Sequence, residues 1–349
     1  MKIIILCGGF CGTLVARNLE KKLPDAEIIL IDKKDYFEFS PSIHKVIFNS
    51  KYFNKITKCY KNLFNNIRIV KDKVVKVTSK QVITEKHRFD FDYLVICIGI
   101  EYPVLLNNTE KVCTLKNSIE AAKMGAKILA SNKILIIGGG LIGTEIAGEL
   151  VTKTKHKEIT IVHNHNRLIE RNPQRASNYA LDFLNKRGAR IIFNEKVIDH
   201  KDNNFITNKG RFIEADAGLW CAGIKANPYF MTGFRNIKNE KGFLKVNEYL
   251  QLKGFKNIFV GGDINNVPEE KTAQNAVRHA HIISHNIISL INRTELKKHK
   301  PRSGPLVISL GDWKGILTFK NFSFCGFIPG IMKWFIEFWN LKIDYRARK

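Results

Sequence analysis

Apolar and polar positions alternate in blocks along this chain in a way that predicts a repeated strand–turn–helix unit. "KIIILCGGFCGTLVARNL" begins with a short, continuously apolar run, passes through glycines and then takes up a helix-like spacing. "KILIIGGGLIGTEIAGEL" repeats the pattern further on. Each is followed by a second apolar strand, "AEIILID" ending at Asp32 and "EITIVH" ending at His163. Short runs apolar throughout, separated by helices, are expected of parallel strands covered on both faces. The predicted fold is α/β, with two Rossmann-like domains, the second inserted in the first. The chain should leave the first near residue 105 and return after about residue 228. The expected boundaries are 1–106 with 229–292, then 107–228, then a C-terminal region 293–349.

The glycines carry the chemistry. Gly138, Gly140 and Gly143 complete G-x-G-x-x-G, whereas the first copy has Cys7, Gly9 and Gly12, with Gly8 expected to supply the flexible residue of the turn. The motif needs a tight turn, a backbone open to a pyrophosphate, and close helix–strand packing. Phe10 and Leu141 open the two helices. Asp32, with Lys33 behind it, has the offset of an acid that binds an adenosine ribose. At the matching offset the second copy has His163. An acid there would favour NADH. "HNHNR" offers His163, Asn164 and Arg167 instead, which leaves NADPH open.

Further segments resemble the two-dinucleotide-binding-domain flavoproteins across nearly the whole chain. Within them the resemblance is to type II NADH dehydrogenases and the ferroptosis-suppressor type of NAD(P)H:quinone reductase. "FDYLVICIGIEYP" stands where that family has "LVIATG", with Gly99 as the glycine and Ile98 in place of Thr. "AGLWCAGIKANP", containing Gly223, is similar to "VIWTAGVRANP". "KNIFVGGDINN" resembles the segment whose acid, here Asp263, binds the flavin ribityl and phosphate region. "KTAQNAVRHA" resembles "TAQxAxQ", with Gln274 matching and Arg278 replacing the second Gln beside the quinone.

The resemblance implies FAD as cofactor, NADH or NADPH as electron donor and a quinone as acceptor. It implies FAD contacts at Val74, Lys271, Thr272 and Ala273, and an acid near the nicotinamide at Glu145. A helix beginning near Lys271 or Thr272 would aim its N-terminus at the reduced flavin. The same fold and cofactors would serve a soluble reductase of a ferredoxin or rubredoxin. An apoptosis-inducing-factor-like nucleic-acid binder is a further alternative, with nucleic acid the less expected partner.

Composition changes little. The net charge of +25, from 57 Lys and Arg against 32 Asp and Glu, favours anionic partners. The seven cysteines show no CxxC spacing, and residues 32–48, where relatives of this architecture carry reactive thiols, contain none. Disulfide, sulfide and zinc chemistry are not expected. "RHAHIISH" puts His281 and His285 at i and i+4 beside His279, but no third convergent ligand is evident, so no metal is expected.

The tail "IMKWFIEFWNLKIDYRARK", drawn as a helix, gathers Lys333, Glu337, Asn340 and Asp344 in an arc of about 60° and leaves Trp334, Phe335, Phe338, Trp339, Leu341 and Tyr345 outside it, with Lys342 intruding. With Arg346, Arg348 and Lys349 behind, this is the pattern of an in-plane membrane helix. Packing on the protein body or in a homodimer is the other reading of the same stripe. The expected location is cytoplasmic, attached peripherally to the inner face of the cell membrane.

Overall fold

The computed structural model describes residues 1–311 and 313–344. Tyr345, Arg346, Arg348 and Lys349 of the expected tail helix lie outside the described residues, as does the side chain of Asp344.

The first unit runs β1 (Lys2–Leu6), α1 (Phe10–Lys22), β2 (Glu27–Asp32), β3 (Arg68–Lys71) and β4 (Tyr93–Ile96). The second contains β5 (Val112–Thr114), β6 (Lys133–Ile137), α2 (Leu141–Lys153), β7 (Glu158–His163), β8 (Arg190–Phe193) and β9 (Ala217–Trp220). The chain then returns as β10 (Ile258–Val260). The first sheet has the order β10-β4-β1-β2-β3 and the second β5-β9-β6-β7-β8. All of these pairs are parallel. Ile3, Ile4, Ile5 and Leu6 are buried without exception, as are Ile134 to Ile137, because crossover segments cover both faces. β10 pairs with β4, so the second sheet lies between two parts of the first in sequence.

Val74 belongs to neither large sheet. It opens a three-stranded antiparallel meander over residues 74–90, and its carbonyl accepts the Tyr229 hydroxyl at 2.9 Å.

The 20-residue helix α3 (Ala273–Asn292) packs against α1. After it the chain forms an antiparallel sheet, β11 (Leu306–Gly311), β12 (Lys314–Phe319) and β13 (Phe322–Gly326), which the tail's helical stripe gave no sign of. β11 lies on α2 at Gly148, where a Cβ would come 2.5 Å from the Leu310 carbonyl oxygen. The tail helix α4 (Phe327–Trp339) follows. Pro329 falls in its first turn, where a missing N–H costs nothing. No helix among the described residues is long and apolar enough to cross a membrane.

α4 turns its charges inward. Glu337 is 1% exposed and is held by Lys45 at 2.6 Å, Lys55 at 2.9 Å, the Ser42 hydroxyl at 2.6 Å and the Tyr52 hydroxyl. Burial would raise its carboxyl, but the Lys45 ammonium and these donors hold it down to about 2. Trp334, Phe335, Phe338 and Trp339 are 43–51% exposed. Leu341, expected on the apolar side, is buried instead, and Lys342 is exposed.

Candidate functional site

The two glycine turns superpose in their chemistry. Gly138 has φ +111° and Cys7 has φ +73°. Cys7, not Gly8, therefore supplies the left-handed residue of the first turn, at a cost of about 1–2 kcal/mol for a residue with a Cβ. Gly8 is needed for a different reason: Tyr60 packs onto it, leaving no room for a Cβ. A Cβ on Gly12 would overlap the Cys7 carbonyl, and one on Gly143 the Gly138 carbonyl. Gly9 and Gly140 are the N-caps of α1 and α2, have no side-chain cap and face open space. Each therefore presents uncapped helix N–H groups that an anion can approach.

Around the first turn, Asp32 accepts from the Gly8 N–H at 2.8 Å, the Tyr60 hydroxyl at 2.8 Å and the Lys34 N–H at 3.1 Å. Lys33 points outward, 5.9 Å from the centre of the Tyr229 ring. Gly99 and Gly223 both have positive φ and open space beside them. Burial pushes the Asp263 carboxyl above its ordinary value, and the Lys271 charge opposes this only in part. A half-buried acid so placed suits ribityl or ribose hydroxyls as donors. Lys271 itself is tied to the carbonyls of Asn265 at 2.7 Å and Val267 at 3.4 Å. α3 starts at Ala273, with Thr272 as N-cap accepting from the Asn275 N–H at 3.3 Å. The first N–H groups, on Ala273 and Gln274, have no acceptor within the helix. This set of open turns, free N–H groups and a half-buried acid fits FAD.

Two quinone-side candidates, Gln274 and Arg278, lie against the linker that follows α3; Gln274 is exposed and Arg278 half-buried. Arg278 donates to Asn275 Oδ1 at 2.9 Å and to the Arg302 carbonyl at 3.3 Å. Gly304 of the same linker passes against the Gln274 side-chain amide, which a Cβ there would push aside. Glu145 is buried. Its Oε1 accepts from Lys333 at 2.8 Å and from the Ser309 N–H at 3.0 Å. Burial would raise its carboxyl; Lys333, His44 and the two hydrogen bonds lower it. It is neither an exposed helix residue nor a free acid.

Sequence reasoning missed three groups. His44 is buried near Glu145, Glu149 and Lys333, with no hydrogen-bond partner for Nε2 among the described residues, and burial holds it below its ordinary value. Lys333 carries no signal in the sequence beyond its place in the polar arc of the tail. The third group overturns an expectation: a third ligand does converge on His279, since Glu269, His279 and His299 bring their polar atoms within 4.8 Å of one another. His281 and His285 do not take part. His279 Nδ1 accepts from the Gly262 N–H at 3.1 Å, which puts the proton on Nε2, facing Glu269 at 2.6 Å but off the ring N–H direction. A metal would need the opposite tautomer. The cluster is a brace on the Gly262–Asp263 turn. Burial would raise Glu269, and its contacts with His279 and His299 hold it at about 2.

The profile of the pyridine nucleotide-disulphide oxidoreductase family matches residues 1–280. The chain belongs to this family. Like its family, it uses FAD and NAD(P)H and is an NAD(P)H-dependent flavoprotein oxidoreductase. Among its relatives, "Apoptosis-inducing factor homolog A" of Dictyostelium discoideum is 30% identical, over 95% of this chain and 88% of that protein. "Ferroptosis suppressor protein 1" of Taeniopygia guttata is 28% identical, over 90% and 88%. Among solved structures, the sulfide:quinone oxidoreductase of Aquifex aeolicus shares the fold of this family member, with a TM-score of 0.87 at 19% identity over 100% of this chain and 93% of that one. Residues 33–49, which follow β2, contain no cysteine and place the buried His44 there.

Proposed function

We propose that this flavoprotein is a membrane-surface NAD(P)H:quinone oxidoreductase that does not pump protons. The observation that carries the reading is the orientation of α4. Its two charges enter the protein while Trp334, Phe335, Phe338 and Trp339 face outward beside Phe322, Phe324 and Phe327, also exposed. Aromatic rings with an apolar body and a polar tip suit the headgroup boundary of a bilayer. Lys320 and Lys342 beside them would add attraction to anionic lipid, about 1 kcal/mol for each close cation. A lipid-soluble quinone explains why such a face adjoins the helix carrying Glu145. The structural neighbour is by name a sulfide:quinone oxidoreductase, and its quinone acceptor is the part that supports this reading.

Bound FAD would supply hydride acceptance and two-electron delivery. The chain's own part is to hold it through Gly9, Asp32, Asp263 and the start of α3, to hold the nucleotide through Gly140 and Gly223, and to keep water from Glu145 and His44. The Ala273 and Gln274 N–H groups would favour negative charge on a reduced ring.

The test is steady-state NADH and NADPH oxidation by the FAD-loaded protein, with and without a short-chain ubiquinone or menaquinone analogue, together with sedimentation on anionic liposomes. Quinone-dependent turnover is expected. Replacing Trp334 and Phe338 by Glu should abolish liposome binding while leaving ferricyanide reduction intact. Flavin that is reduced but not reoxidised by quinone would overturn the reading.

A further inference from the structure

The two turns differ at the end of their second strands. Asp32 accepts the Gly8 N–H directly, whereas His163 Nδ1 accepts the Gly139 N–H at 3.1 Å. An accepting Nδ1 leaves the proton of a neutral imidazole on Nε2. That nitrogen lies 3.3 Å from Glu170 Oε2. The imidazole therefore takes the loop contact of the missing acid and carries a carboxylate at its far end.

The loop that delivers Glu170 is pinned to the nucleotide turn. Ile169 is β-branched and buried, yet has φ +42°. Such backbone is strained and persists only where its surroundings impose it. Its N–H donates to the Gly139 carbonyl at 2.9 Å. Leu168 packs on Gly139, where a Cβ would come within 2.6 Å of its Cδ2. Arg167, offered by the sequence as a phosphate ligand, is used inside the loop: it donates to the carbonyls of Glu170 and Asn172 and to Ser177 Oγ. Glu170 keeps a quarter of its side chain exposed. The basic side chains near it are weakly placed. His165 Nε2 and Arg171 Nε are each 3.8 Å from its Oε1, and Arg171 also reaches Glu270 at 3.4 Å. Burial lowers His163 below its ordinary value, so a neutral ring leaves the Glu170 charge uncancelled.

We propose that Glu170, positioned by His163, is the acid that reads the adenosine ribose of the electron donor and makes this site select NADH over NADPH. A carboxylate there accepts from ribose hydroxyls and repels a 2′-phosphate. The inference rests on the inner domain binding the nicotinamide nucleotide and is independent of the acceptor.

The experiment is calorimetric titration of NAD⁺ and NADP⁺ into the oxidised, FAD-loaded protein, where no turnover occurs. The wild type should bind NAD⁺ about 10-fold or more tightly than NADP⁺, as loss of a charged hydrogen bond would imply. Glu170→Gln, and separately Glu170→Ala, should bring the two within about 3-fold. His163→Ala should relax the same ratio, raising KM for NADH with little change in kcat. Preference for NADP⁺ in the wild type, or an unchanged ratio in Glu170→Gln, would overturn the proposal. Binding of neither nucleotide would overturn it together with the assignment of the inner domain.

Discussion

Lys333 Nζ lies 2.8 Å from Glu145 Oε1, joining the tail helix to the second nucleotide-binding helix. Both side chains are largely buried, at 15% and 11% exposure. Removing one partner of such a pair leaves an uncompensated charge, which costs about 3–5 kcal/mol. Lys333→Met should therefore destabilise the protein by that order, and unevenly with pH. In the variant, burial raises the folded-state Glu145 pKa above its unfolded value. That contribution is fully present below the unfolded pKa and is lost as pH rises through the folded one. The deficit relative to wild type should thus be smallest in acid and grow toward alkaline pH. Denaturant midpoints measured across that range check this, and a pH-independent deficit would contradict it.

Glu337 makes the opposite prediction. Its folded pKa is depressed from 4.5 to about 2, so its stabilisation is present above 4.5 and is lost as pH falls toward 2. The shift corresponds to on the order of 3 kcal/mol. Glu337→Gln should flatten the acid side of the stability curve in that window, read from melting temperatures of variant and wild type in parallel.

The glycine turns can be separated by their space requirements. Gly9→Ala meets no atom within 4 Å and has an extended backbone that alanine accepts. It should fold with stability within about 0.5 kcal/mol of wild type yet retain far less flavin, measured by absorbance after gel filtration. Gly140→Ala should keep its flavin and lose reduction by NADH. Gly12→Ala should fail in folding itself, because its Cβ would overlap the Cys7 carbonyl.

His299 supplies a fourth test. His299→Ala removes one partner of the buried Glu269 and leaves the His279 contact to hold it. The Glu269 pKa should rise, with a loss of about 1–3 kcal/mol above it. Zinc or chelator should leave the wild-type melting temperature unchanged. A chelator-sensitive melt would reassign the cluster to a metal.

Much of the frame was legible because it is local. The glycine runs, the buried strands on either side of them and the threonine before α3 each depend on neighbours within a few residues. The residue that bends the first turn was misassigned, since a positive φ at Cys7 follows from its alignment with Gly138 and not from its own preference. The ion pair of Glu145, the brace on His279 and the bonding of Arg167 were not legible for a different reason. Each joins groups that topology brings together, and no periodicity marks a partner far along the chain. The sheet of residues 306–326 was not legible because "LVISL" and "GILTF" are short apolar runs without strict alternation, which periodicity alone does not assign to a strand.

The interleaving of the two sheets sets an order of events during synthesis. β5 to β9 are complete once the chain reaches Trp220, but β4 keeps an open edge until Ile258–Val260 has emerged. The inner sheet can therefore close while the outer one still presents unpaired backbone groups along Tyr93–Ile96. A ribosome paused between these points carries a finished nucleotide fold inside an unfinished one, and that interval is when the nascent chain is most open to mispairing.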